Sequence, residues 1–379
     1  MNVHTTAALA ALVAAGIAGG AAAEIRIGAS VSATGPASFL GDPQQRTLEM
    51  LVEEANAAGG VGGEAIELVL YDDGGDPNEA RTFATRLVEG DEVVAIIGGS
   101  TTGTTMSIID IAEDEGIPFI SLAGAIEIVD PVREHVFKTP HTDRMACEKI
   151  LEDMQARGIT RIGMISGTDG FGASMEAQCK EVVGDYGIEV VASETYGPQD
   201  ADMTPQLTNL RGSEAEAILN AGFGQGPTIV TRNAAQLGIE LPLYQSHGVA
   251  SDAFIELAGA DAAEGVRLPG TALLVADLLP EGDPQKAVAT AYREAYEAAH
   301  GSEPSTFGGY AHDAFRLLVD AIERAGGAEP QAIRDALEAT EGFVGTTGTY
   351  SFSPEDHLGL DLSAFRMLEI RDGDWALAE

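Results

Sequence analysis

Short β-branched runs alternate with amphipathic stretches along most of the chain. The first run, Ile25-Arg26-Ile27-Gly28-Ala29-Ser30-Val31, predicts a strand. After Thr34-Gly35-Pro36, the residues Leu48, Leu51, Val52 and Ala55 recur at helical spacing and predict a helix over 43–56 opening on Pro43. The alternation continues with strands over 65–71, 93–97 and 118–122 and helices over 77–88 and 102–115. A second series places helices over 142–157, 171–186, 204–211 and 227–237. Between them come strands over 161–166, 189–195 and 217–220, then a short one near Leu243. Strands separated by helices require right-handed crossovers, so the pattern predicts parallel sheets with helices on both faces. Two such series exceed one sheet of ordinary width, and two lobes are expected. Beyond Gly270 the pattern is helical over 284–300, 307–325 and 330–339, before strand signals return at 348–352 and 364–370. No low-complexity linker parts the two series, which points to several crossings and a hinge.

The length, 379 residues, agrees with two domains at roughly 150 residues each. Charge narrows the partners. There are 60 Asp and Glu against 21 Lys and Arg, a formal net charge of −39. A field of that sign repels phosphate backbones and anionic lipid, so nucleic-acid and membrane-surface partners are not expected. One apolar stretch, Ala7 to Ala23, is too short to span a bilayer and ends in Ala21-Ala22-Ala23. Residues 1–23 are therefore read as a secretory signal peptide, although Met1-Asn2-Val3-His4 lacks the usual basic residue. Cys147 and Cys179 are the two cysteines, on predicted helices flanking one strand. Export permits a disulfide between them; a bridge and two buried thiols both remain open.

Candidate chemistry collects at strand ends. Ile96-Ile97-Gly98-Gly99-Ser100-Thr101-Thr102-Gly103-Thr104-Thr105 is a strand end, a glycine turn and a run of hydroxyls opening a helix. Ligands of open α/β sheets bind at the carboxyl ends of strands, and a helix start offers free N–H groups to an anion. Simple N-capping accounts for one such hydroxyl; five among three glycines exceed that need. Ile120-Ser121-Leu122-Ala123-Gly124-Ala125 is a second strand end with small residues that let a ligand approach the backbone. Thr168-Asp169-Gly170-Phe171-Gly172 and Gln245-Ser246-His247-Gly248-Val249 are loops after strands of the second series, where Phe171 and His247 are ligand candidates against a plain core role. Enzymatic signatures are missing. Gly222-Phe223-Gly224-Gln225-Gly226 does not match GxGxxG, and GxSxG, HExxH and GK[ST] do not occur. Asp72-Asp73-Gly74-Gly75-Asp76 lacks EF-hand spacing. Neither catalysis nor a cofactor or metal is expected.

Taken in order, several segments resemble the periplasmic leucine/isoleucine/valine-binding family, the substrate-binding proteins of hydrophobic-amino-acid ABC importers. They are Ile27–Gly35, Asn56-Ala57-Ala58-Gly59-Gly60-Val61-Gly62-Gly63, Tyr71-Asp72-Asp73 before Asp76-Pro77, Ile96–Thr105, Glu113-Asp114-Glu115-Gly116-Ile117-Pro118, His247-Gly248-Val249 and Gly345–Phe352. The resemblance implies an α/β protein of two doubly wound parallel-sheet lobes joined by a three-crossover hinge, the type I periplasmic binding fold. It implies an N-terminal lobe from 24–140 and 271–345 and a C-terminal lobe from 141–270 and 346–379. It further implies that Ser100, Thr101 and Thr102, with Ala123, Gly124 and Ala125, hold a ligand carboxylate, while Leu40 and Phe171 line the cleft. Where the family often carries Glu against the ligand's ammonium this chain has His247, and Ala125 stands where Thr is common. The expected function is capture of a small carboxylate, a branched-chain or other hydrophobic amino acid, by hinge closure, for delivery to the permease subunits of an ABC importer. An aromatic or other organic acid lacking an ammonium, or a ligand-sensing receptor role, are the alternatives. A periplasmic monomer without cofactor is implied.

Overall fold

The computed structural model describes residues 24–378; the signal-peptide expectation lies outside the described residues. Five strands form the first sheet: β1 (Glu24–Val31), β2 (Ala65–Asp72), β3 (Ala95–Gly98), β4 (Phe119–Ser121) and β5 (Val136–Lys138). Their order is β2-β1-β3-β4-β5, and every pair is parallel. The second sheet takes β6 (Arg161–Gly167), β7 (Glu189–Tyr196), β8 (Ala217–Ala221), β9 (Leu243–Gln245) and β10 (Arg267–Gly270). A separate ribbon pairs β11 (Phe343–Val344) with β12 (Thr349–Tyr350), and the tail supplies β13 (Arg366–Arg371) and β14 (Asp374–Leu377). The second sheet runs β14-β13-β10-β9-β8-β6-β7. Strands β13 and β14 join it antiparallel, so this lobe is a parallel sheet with an antiparallel edge. Helices cover both faces. That is why β3 and β8 are buried at every residue rather than at alternate ones.

Several boundaries moved for tertiary reasons. The first helix is Ser38–Ala57, and Pro43 lies inside it rather than in its first turn. A 3-10 turn at Gly35–Ala37 feeds straight into the helix, whose start packs on the end of β1: a β-carbon on Gly41 would stand 2.1 Å from the Ser32 carbonyl carbon. The strands β5, β10 and β14, three or four residues long, are too short for a periodic signal. The 348–352 pattern becomes β12, paired with β11 and not with either large sheet. From 346 to 357 the chain lies against the first lobe. Tyr350 donates to the Thr139 carbonyl (2.9 Å) and to Asp313 (3.1 Å), and the His357 ring stacks 4.1 Å from that of Phe137. The tail reaches the second sheet only at Arg366.

The two lobes are tied in both directions. The chain leaves the first sheet after Lys138 and returns after Gly270 as the helices Pro284–His300 and Thr306–Ala325. These pack on the Ser38–Ala57 helix, with Thr47 and Tyr292 sharing a 2.7 Å hydroxyl contact and Arg316 on Glu54 at 3.0 Å. Within the second lobe, Cys147 of the Asp143–Ala156 helix is disulfide-bonded to Cys179 of the Gly170–Val182 helix, their Cα atoms 5.1 Å apart. Among the described residues no helix is long and apolar enough to cross a membrane.

Candidate functional site

In both sheets the strand order reverses around one strand, β1 in the first and β6 in the second, and crevices open beyond the carboxyl ends on either side of such a strand. The two sheets present these ends to each other. The loops and helix starts after β1, β3, β4 and β5 supply Leu40, Ser100–Thr102, Ala123–Gly124 and Pro140; those after β6, β8 and β9 supply Phe171, Phe223 and His247–Gly248. Together with Leu122, Phe307 and Tyr310 they line a cavity whose space between atoms, counted with its open mouth, is ≈ 390 Å³. The lining is mostly apolar and aromatic, as in sites for small organic ligands.

The hydroxyl run after β3 separates into three roles. Gly99 has φ +66°, and its carbonyl accepts from Thr105 Oγ1 at 2.7 Å; this tight turn carries the chain from the strand into the Thr102–Glu115 helix. Ser100 Oγ donates to Gln44 Oε1 (2.6 Å) and accepts from the Ser32 backbone N–H (2.9 Å), so it clamps β3 to the end of β1. Thr101 is the N-cap: its hydroxyl accepts from Thr104 N–H, and its own N–H donates to Thr104 Oγ1. Thr102 alone is left. Its Oγ1 is buried, lines the cavity and has no hydrogen-bond partner among the described residues. A buried hydroxyl without a partner is disfavoured, and here it sits beside the unpaired N–H groups of a helix start, where negative charge is favoured.

On the opposite wall the Ser246 hydroxyl accepts from Gly248 N–H (3.0 Å) and donates to the Gly222 carbonyl, holding the His247–Val249 turn against the β8 end. The His247 ring packs edge-on to Phe171 (5.4 Å) and Phe365 (5.5 Å). Burial, helped by the charge of Lys138, pushes its pKa down to about 3, so the imidazole is neutral, with one N–H and one acceptor nitrogen. Its Nδ1 has no partner among the described residues, and neither does Tyr310 Oη. Asp169 caps the Gly170–Val182 helix through Phe171 and Gly172 N–H, which fixes where Phe171 enters the cavity. Asp73 accepts from Ser30 and Ser32 hydroxyls and from Gly75 N–H, a structural clasp between β1 and β2.

Of the residues singled out in the sequence, Leu40, Ser100, Thr101, Thr102, Ala123, Gly124, Phe171 and His247 meet around this cavity. Ala125 does not line it; its carbonyl faces away and accepts from Lys138 Nζ (3.3 Å). Sequence reading missed Phe223, Phe307 and Tyr310. Phe223 follows β8, so the strand-end rule that found Phe171 would have found it too. Phe307 and Tyr310 lie in a helix that returns from the other lobe, and no local signal marks them.

Two solved structures and one further relative place this architecture. A crystal structure of an extracellular ligand-binding receptor from Rhodopseudomonas palustris HaA2 is 30% identical, with a TM-score of 0.88 covering 94% of this chain and 100% of that one. The branched-chain amino acid transporter substrate binding protein LivJ from Streptococcus pneumoniae, solved with isoleucine, is 26% identical at TM-score 0.84, over 94% of this chain and 99% of that one. The Leucine-, isoleucine-, valine-, threonine-, and alanine-binding protein of Pseudomonas aeruginosa is 29% identical over 343 residues, 89% of this chain and 88% of that protein. The periplasmic binding protein family model matches residues 24–374. Two facing α/β lobes, a cavity between their strand ends and that match over nearly all described residues make this chain a member of the periplasmic binding proteins, in the branch that includes the Leu/Ile/Val-binding proteins.

Proposed function

We propose that this protein captures a small carboxylate with an apolar, aromatic body and no ammonium, in the periplasm, and hands it to the permease subunits of an ABC importer. The observation that carries this reading is the pairing of walls. Thr102 offers an unpartnered hydroxyl at a helix start, while the facing wall offers a neutral His247 and the rings of Phe171 and Phe223. Among the described residues lining the cavity there is no Asp or Glu to balance a ligand ammonium. The carboxylate docks on the first lobe at Thr102, and the second lobe then closes Phe171 and His247 over the body. Closure is favoured only by the ligand's stronger binding to the closed form.

An aliphatic amino acid is the second reading, favoured by what the Pseudomonas aeruginosa relative is named for and by the isoleucine in the Streptococcus pneumoniae structure. The test is thermal unfolding and calorimetry on protein unfolded and refolded to strip retained ligand, with benzoate, 4-hydroxybenzoate, leucine and isoleucine as probes. A ligand selective for the folded, closed form raises Tm in proportion to its occupancy. Stabilisation by the aromatic acids supports the first reading. Stabilisation by leucine or isoleucine alone replaces it with the second, and no response to any small acid removes both.

A further inference from the structure

Directly behind the cavity wall stands a lysine with nowhere to put its charge. Lys138 ends β5, is fully buried, and donates from Nζ to the carbonyls of Ala125 and His141, each at 3.3 Å. The preceding residues, Gly124 and Pro140, both line the cavity, so the ammonium sits one peptide unit behind two of its wall segments. Asp143 is the facing carboxylate, and its oxygens are taken by Ile126 N–H, Arg144 N–H and the Ser174 hydroxyl. No carboxylate among the described residues comes within ion-pair distance of Nζ. A buried cation held only by neutral carbonyls is strongly disfavoured unless something else supplies negative charge.

We propose that Lys138 is a specificity-determining positioning residue, selecting an anionic ligand by its charge through the Gly124–Ala125 wall rather than by contact. This rests on the small-carboxylate reading above and adds the group that enforces it. Burial, opposed by Asp143, pushes the Lys138 pKa down to about 7. An anion arriving in the cavity favours the charged form, so binding near pH 8 draws a proton onto Lys138. Carboxylate affinity then falls as pH rises through and above 7. The other groups facing this cluster do not produce that dependence. His247, down at about 3, and His141, held well below the usual range by burial, are neutral there; Arg366, whose charge also acts on His141, bonds Asp283. His357 lies over Phe137, bonded through Nδ1 to the Val136 carbonyl.

The experiment is calorimetry of the mature protein and its Lys138→Met and Lys138→Arg variants from pH 6 to 9, in phosphate and in Tris. Probes are benzoate, its uncharged isostere benzamide, and leucine. For whichever acid binds, the wild type is expected to take up a fraction of a proton at pH 8 and to lose about tenfold in affinity between pH 6.5 and 9. Lys138→Met should bind the acid at least tenfold more weakly at pH 6.5, with flat pH dependence and no proton uptake. Lys138→Arg should keep the acid preference without the pH dependence. Benzamide binding should not follow pH. Acid binding by the wild type without proton uptake, a measurement that needs no variant, overturns this proposal alone. Equal losses of benzoate and benzamide in Lys138→Met do the same. Failure of the wild type to bind either acid overturns the carboxylate reading and this proposal with it.

Discussion

Gly124 of the first lobe and His247 of the second touch across the cleft: a β-carbon on Gly124 would stand 3.0 Å from His247 Nε2 and 2.9 Å from a Phe171 ring carbon. The absence of a side chain at 124 is therefore a condition of closure and not of local backbone geometry, since Gly124 is not among the glycines with positive φ.

Gly124→Val is accordingly expected to hold the lobes apart while leaving each lobe folded. Ligand affinity should fall by tenfold or more, and small-angle scattering should show no ligand-induced decrease in radius of gyration. Tm without ligand should move little, because the atoms nearest an added β-carbon belong to Phe171 and His247 of the opposite lobe. A variant that still closes and binds normally would mean that His247 and Phe171 do not form the lid.

Ser100 and Thr102 are two residues apart and should fail in opposite ways. Thr102→Val removes a hydroxyl with no partner among the described residues, so apo stability should hold or rise slightly while ligand affinity drops by about 1–3 kcal/mol, the usual effect of losing a desolvated hydrogen bond. Ser100→Ala strands the Ser32 N–H and Gln44 Oε1, both buried, and should lower stability by a similar amount. Paired calorimetry and thermal melts of both variants check the split. Loss of affinity without loss of stability in Ser100→Ala would return that hydroxyl to the ligand.

The Cys147–Cys179 bridge closes a sequence separation of 32 residues, within which lie β6 and its loop. Chain-entropy estimates give a loop of that size about 3–4 kcal/mol. The double variant Cys147→Ala/Cys179→Ala is expected to lose several degrees in Tm at unchanged ligand affinity, since neither cysteine lines the cavity. Two reactive thiols in denatured, unreduced wild-type protein would remove the bridge.

What the sequence determined follows from short-range physics. Alternating β-branched runs and helical spacings fix a parallel α/β pattern because each local period commits a segment to one element. Strand ends then point to loops at 100–102, 123–124, 171 and 247, since crevices open where parallel strands finish. The Thr101 cap is legible for the same reason: it answers to N–H groups three residues away. Tertiary structure decided the rest. Three neighbouring hydroxyls look alike in sequence, yet Ser100 is consumed by Gln44, 56 residues distant, Thr101 by its own helix, and Thr102 by nothing among the described residues. Lys138 reads as the end of a short strand, and only tertiary burial leaves its ammonium on two backbone carbonyls with no carboxylate in ion-pair contact among the described residues. Phe307 and Tyr310 reach the cavity from a helix more than 160 residues beyond β5, and the tail rejoins the second sheet after first packing on Phe137. Such properties depend on which distant segments share a volume, and no local period encodes that.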